Sequence, residues 1–137
     1  MKILVVDDEF IARIALQDML QSYGTVHVAA NGSEAIEAVR VGHETGTPYD
    51  VIFMDLLMPI MGGDQALVGI RRVEKVRGIG SASAVRIILV TALDAEGDTG
   101  RAGQKLLRDT KGLCDGRLTK PVRKATLTRL LRSLQLI

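Results

Sequence analysis

The chain has 137 residues, 47% hydrophobic and 25% charged, with a formal net charge of +2, the balance of one compact soluble domain with room for a core. A single cysteine, Cys114, excludes an internal disulfide framework and a cysteine metal cluster. The basic residues are dispersed without interleaved aromatics, which argues against a nucleic-acid surface, and no apolar run reaches the ~18 residues of a membrane span.

Five short apolar runs alternate with longer helix-capable stretches. The first, Lys2–Val6, leads straight into acids, too early for a secretory signal, so a cytoplasmic protein is expected. The second is Thr25–Ala29. After it, Asn31 followed three residues on by Glu34 predicts a capping box opening a helix over Gly32–Arg40, and Val41–Tyr49 reads as a surface connection. The third run is Asp50–Met54. Arg77–Ala84 is a second surface connection, ahead of the fourth run, Val85–Val90.

Gly97, Gly100 and Gly103 recur every third residue in the next helix-capable stretch, each costing about 1 kcal/mol relative to Ala inside a helix. That helix is expected to start late, fray or be partly irregular. The fifth run is Cys114–Leu118. Leu127, Leu130, Leu131 and Leu134 then recur at helical spacing as a buried stripe, with Arg123, Lys124, Arg129 and Arg132 mostly outside it. The first, third and fourth runs are continuously apolar, as strands covered on both faces are. The stretches between runs are too long for hairpins, so parallel strands with helical crossovers follow. The expected fold is a (βα)₅, three-layer α/β domain spanning residues 1–137.

In such a sheet, groups just beyond the strand C-terminal ends converge on one edge. Asp7 and Asp8 follow the first strand, Asp55 the third and Thr91 the fourth, while Lys120 lies two residues past the fifth. Three carboxylates in a small space repel one another unless a cation sits among them. Oxygen-only donors in a shallow site suit a hard divalent ion such as Mg²⁺. The set lacks a His, Cys or Ser nucleophile with a base. It suits a phosphoryl group: a cation and Lys120 neutralise oxygens, Thr91 donates a hydrogen bond, and a carboxylate attacks in line. His27 and His43 read as surface or strand residues rather than ligands.

The segments ILVVDDE (Ile3–Glu9), DVIFMDLLMPIMGG (Asp50–Gly63), VTA (Val90–Ala92) and LTKPV (Leu118–Val122), in that order and spacing, resemble the receiver domain of two-component response regulators. The resemblance covers essentially the whole chain. It implies a flavodoxin-like fold with a parallel sheet of order 2-1-3-4-5. It implies that Asp55 accepts phosphoryl, and that Asp8, Asp55 and the backbone carbonyl of Leu57 bind Mg²⁺, with Asp7 acting largely through water. Thr91 and Lys120 would hold the acyl phosphate, and Pro121 would place Lys120 through a cis Lys–Pro bond. Met58–Pro59 and Gly62–Gly63 would shape the loop after the acceptor.

Such a domain is a signalling module rather than a conventional enzyme, catalysing only its own phosphorylation and dephosphorylation. Its expected partners are a histidine kinase or histidine phosphotransfer protein and an unknown output protein, with no nucleic acid or membrane; it would stand alone or belong to a larger protein. Two further readings compete. One is a Mg²⁺-dependent, haloacid-dehalogenase-like phosphatase with an aspartate nucleophile, although its D-x-D slot here reads Asp7-Asp8-Glu9 and no cap domain is inserted. The other is a flavodoxin-like cofactor binder, which would need a phosphate-cradling glycine loop and aromatics to sandwich a flavin.

One position departs from the family pattern. Arg117 stands where receivers carry Tyr or Phe, and a guanidinium cannot fill the same apolar pocket. Activation is then expected either to reorder the glycine-studded fourth helix or to run through Thr91 alone with Arg117 in solvent. Leu57 and Leu93, each two residues past a site residue, are expected to flank the mouth, and because neither can orient an attacking water, slow self-dephosphorylation is expected.

Overall fold

The computed structural model describes residues 1–92, 105 and 108–137. The glycine-studded stretch with Gly97, Gly100 and Gly103, and Leu93, lie outside the described residues. Strands β1 (Lys2–Val6), β2 (Thr25–Ala29), β3 (Val51–Asp55), β4 (Arg86–Thr91) and β5 (Gly116–Thr119) form one sheet of order β2-β1-β3-β4-β5. Every neighbouring pair is parallel. Four helices are defined among the described residues: α1 (Phe10–Leu20), α2 (Gly32–Glu44), α3 (Gly63–Val76) and α4 (Lys124–Ser133).

Side-chain alternation in the strands divides the core into two layers. Leu4, Val6, Ile52, Met54, Ile87 and Leu89 point to one face and pack with Ala35 and Val39 of α2 and Ala66, Leu67 and Ile70 of α3. Ile3, Val5, Val51, Phe53, Ile88, Val90 and Leu118 point to the other and pack with Leu16 and Leu20 of α1 and Leu127 and Leu131 of α4. The leucine stripe therefore forms as expected, with Leu130 and Leu134 partly buried beside it. Each fully buried side chain of this size contributes about 2 kcal/mol.

The strand boundaries differ from those the apolar runs predict. Asp55 is the last residue of β3 and pairs with Val90, and Thr91 is the last residue of β4 and pairs with Thr119. Backbone pairing is indifferent to side-chain polarity, so the ladders run one residue past the apolar stretch. At the other end of β5 the strand starts late, at Gly116. Asp115 makes a mixed junction there, its N–H donating to the Ile87 carbonyl at 2.7 Å while its own Oδ2 accepts from Ile87 N at 2.9 Å.

Helix α2 opens as predicted, with Asn31 Oδ1 accepting from Glu34 N at 3.0 Å. The reciprocal arm of the box bonds the Asn31 side-chain amide instead of its backbone (Nδ2 to Glu34 Oε2, 3.1 Å). The helix runs on to Glu44, beyond the predicted Arg40, so the connection starting at Val41 is shorter than expected. Arg40 pairs with both Glu37 and Glu44, and Thr45 Oγ1 donates to the Val41 carbonyl at 2.9 Å. These one-turn contacts carry the helix past Gly42.

Candidate phosphoacceptor site

Parallel pairing brings the strand C-terminal ends to one rim. Val6 pairs with Met54 and Asp55 with Val90, so the residues that follow β1 stand beside the end of β3. Asp7, Asp8 and Asp55 each bring a carboxylate oxygen to a common point, all within 4.8 Å of one another. Asp7 and Asp55 are buried and Asp8 is exposed.

Lys120, immediately after β5, closes the cluster. Its Nζ donates to Asp7 Oδ2 at 2.8 Å and to Asp55 Oδ2 at 3.2 Å. Its backbone N–H donates to the Thr91 carbonyl at 2.9 Å, and the Lys120–Pro121 peptide is cis. Thr91 itself is buried at the end of β4. Asp7, Asp8, Asp55 and Lys120 are therefore gathered at one rim, with Thr91 at the end of strand β4.

The loop after Asp55 is set by close backbone approach. A Cβ on Gly63 would come within 2.4 Å of the Asp55 carbonyl oxygen, so only glycine lets α3 begin against the end of β3. Gly63 N donates to the Leu56 carbonyl at 2.9 Å, and Gly62 is the N-cap of α3. Leu57 N reaches Asp55 Oδ1 at 3.4 Å while its side chain stands in solvent. Pro59 exposes its ring, and Ile60 beside it adopts φ 69°.

The electrostatics follow burial. Burial pushes the Asp55 carboxyl above the ordinary range, the neighbouring Asp7 adds to this, and Lys120 offsets part of it. Burial alone would lower the Lys120 ammonium, but hydrogen bonds and attraction from Asp7 and Asp55 outweigh it and raise it. Asp55 is thus a buried carboxylate with raised proton affinity at the lip of the sheet, facing a firmly charged cation.

Sequence reasoning missed one neighbour. Arg13 of α1 donates from its guanidinium to the Asp7 carbonyl at 2.9 Å. Its signal was available: a basic residue one turn into a helix that begins just after an acid pair. The Asp7 side chain also accepts from Glu9 N at 2.9 Å, an Asx turn that leads into α1. His27 and His43 lie away from the rim, His27 bonded through Nδ1 to the Tyr49 hydroxyl at 2.8 Å. Arg117 lies on β5 opposite Leu89 with its side chain exposed, which matches the expectation of a guanidinium in solvent.

Comparison with known proteins agrees with this geometry. The model of the response regulator receiver domain matches residues 3–132. The two-component response regulator ORR41 of Oryza sativa subsp. japonica is 31% identical over 100 residues, which cover 71% of this chain and 72% of that protein. Histidine kinase CKI1 of Arabidopsis thaliana is 40% identical over 88 residues, but the match spans 57% of this chain and 8% of the kinase.

Among solved structures, the CKI1 receiver domain complexed with Mg²⁺ and BeF₃⁻ superposes with a TM-score of 0.76 at 32% identity, covering 98% of this chain and 89% of that one. The receiver domain of Ssk1, in co-crystals with the Saccharomyces cerevisiae histidine phosphotransfer protein Ypd1, is similar with a TM-score of 0.75 at 28% identity, covering 100% and 92%. These matches give no support to the haloacid-dehalogenase-like alternative, whose nucleophile would follow the first strand. A parallel sheet ending in an acid cluster and a cis-prolyl lysine, matched by the receiver model from residue 3 to residue 132, makes this chain a member of the response regulator receiver domain family.

Proposed function

We propose that residues 1–137 form a single receiver in which Asp55 accepts a phosphoryl group from a phosphohistidine donor, a histidine kinase or a histidine phosphotransfer protein. The observation that carries this reading is the Lys120 ammonium, 3.2 Å from Asp55 Oδ2 and 2.8 Å from Asp7 Oδ2, over three convergent carboxylates.

The donor set fits Mg²⁺, since it is made of oxygens, two of the carboxylates are buried, and the third is open to water. Asp7, Asp8, Asp55 and the Leu57 carbonyl would hold the ion, which when bound neutralises phosphoryl oxygens. The chain's own residues do the rest. An Asp55 carboxylate oxygen forms the new bond to phosphorus as the P–N bond to the donor imidazole breaks, in line. Lys120 neutralises a phosphoryl oxygen, and the Thr91 hydroxyl donates a hydrogen bond to another. The leaving imidazole keeps its bonding pair and takes up a proton from solvent.

The protein then acts as a switch rather than a conventional turnover enzyme, catalysing only its own phosphorylation and dephosphorylation and docking an output partner through a changed face. The exposed apolar side chains of Phe10, Ile11 and Ile14 on α1, next to the site, support a protein donor. Leu57 at the mouth cannot orient a water, which supports slow loss of the phosphoryl group. We read the protein as cytoplasmic; among the described residues no helix is long and apolar enough to cross a membrane.

The test is a small phosphodonor with Mg²⁺, read by intact mass. A gain of one phosphoryl group, abolished by Asp55→Asn, is the expected result. Label that persists in Asp55→Asn and disappears in Asp7→Asn would overturn the assignment.

A further inference from the structure

Asp7 is held at three points. Its N–H donates to the Ala29 carbonyl at 3.1 Å, its Oδ1 accepts from Glu9 N at 2.9 Å, and its carbonyl accepts from the Arg13 guanidinium at 2.9 Å. Its remaining oxygen, Oδ2, faces Lys120. Asp8 is different. Its carboxylate is exposed and makes no hydrogen bond among the described residues, yet it converges with Asp7 and Asp55. The carbonyl of the Asp7–Asp8 peptide, which leads into Asp8, is the group Arg13 grips.

The placement of Arg13 is costly on general grounds. It sits in the first turns of α1, where the helix dipole disfavours a cation. It also stands beside an acid cluster read as a cation site, where its charge works against metal binding. Arg13 makes no ion pair among the described residues; apart from its carbonyl bond, its guanidinium lies 5.7 Å from the Phe10 ring. A solvated surface arginine would gain little from that position, whereas a clamp on the acid-pair peptide requires it.

We propose that Arg13 is a positioning residue of the divalent-cation site, fixing the Asp7–Asp8 peptide so that Asp8 converges with Asp7 and Asp55. The inference rests on the acid cluster being a Mg²⁺ site. It carries a sign that separates it from a charge effect. Removing a nearby positive charge, by itself, tightens binding of a dication. Removing a clamp weakens it, and supporting hydrogen bonds of this kind are worth about tenfold or more in metal affinity.

The test is titration of the full chain with Mg²⁺ alone, followed by amide chemical shifts, alongside thermal melts without metal. Arg13→Met keeps the aliphatic bulk and loses donor and charge; Arg13→Lys keeps both. The expected result is about tenfold weaker Mg²⁺ binding in Arg13→Met, against the direction of the charge change, and recovery in Arg13→Lys. Tighter binding in Arg13→Met reduces Arg13 to a charge and overturns the proposal. Unchanged affinity overturns it as well, with or without a lower melting temperature. So does an Arg13→Met chain that does not fold, because the role is then structural. A wild-type chain that binds no Mg²⁺ brings down the cation site itself, an outcome distinct from a wild type that binds and a variant that binds equally.

Discussion

The Lys120 ammonium lies 3.2 Å from Asp55 Oδ2, a contact made across 65 residues of sequence, and it lets two buried carboxylates, Asp7 and Asp55, stand side by side. Without metal the two members of this contact have opposite effects on stability. Lys120→Met leaves both acids without a cation and is expected to cost about 3 kcal/mol. Asp55→Asn removes a carboxylate that burial disfavours and is expected to raise stability by about 1 kcal/mol. Urea melts in the presence of a chelator check both signs; destabilisation by Asp55→Asn would show that the carboxylate supports the fold.

Ile60 places a β-branched side chain at φ 69°, with 84% of its surface exposed. The left-handed region costs such a residue about 1–2 kcal/mol, and exposure returns no packing energy. Ile60→Asn, which tolerates that conformation, is expected to stabilise the domain by about 1 kcal/mol. A melting temperature that does not rise would mean that the side chain is held by a contact worth as much as the strain.

Glu74 is buried in α3, accepting from Val85 N at 2.7 Å with Oε2 and from Arg71 at 2.8 Å with Oε1. Arg71 also bonds the Val85 and Leu113 carbonyls and pairs with Asp115 at 3.1 Å, tying α3 to the entries of β4 and β5. Glu74→Ala is expected to cost about 3 kcal/mol, since it orphans a buried N–H and part of a guanidinium. The network lies at the end of the sheet away from Asp55. Labelling of Asp55 by a small phosphodonor is therefore expected to be unchanged in the folded variant, with urea titration reading the stability loss.

Cys114 is half-buried, and burial pushes its thiol up, against an opposing pull from Arg117. Only the thiolate alkylates. A raised pKa moves the onset of alkylation to higher pH, so at about pH 8 the native chain is expected to react more slowly with iodoacetamide than the chain in urea. Rate against pH by intact mass should place the native midpoint above the unfolded one. Coincident midpoints would contradict the shift.

Much of the fold is legible in the order of the residues. The β-branched-rich apolar runs within Lys2–Val6 and Val85–Val90 and the leucine stripe of α4 announce their own burial, because water exclusion acts on side-chain polarity, which sequence records directly. Element ends are not legible in the same way. Asp55 and Thr91 extend β3 and β4 because of backbone partners on neighbouring strands, and polarity says nothing about those. The run of α2 to Glu44 depends on Arg40 reaching Glu37 and Glu44 past a glycine that reads as a break.

The acids, the threonine and the Lys–Pro pair are present in the sequence by type, order and spacing, and strand-end position predicts that they meet. Residue identity alone sets the chemistry available at the rim: carboxylate oxygens, one ammonium and one hydroxyl. Folding governs how these groups act on one another, raising Asp55 by burial, setting Lys120 between two acids, and turning Arg13 onto the Asp7 carbonyl. Those effects depend on distance and on exclusion of water, and both come into being only when strands far apart in the chain are laid side by side.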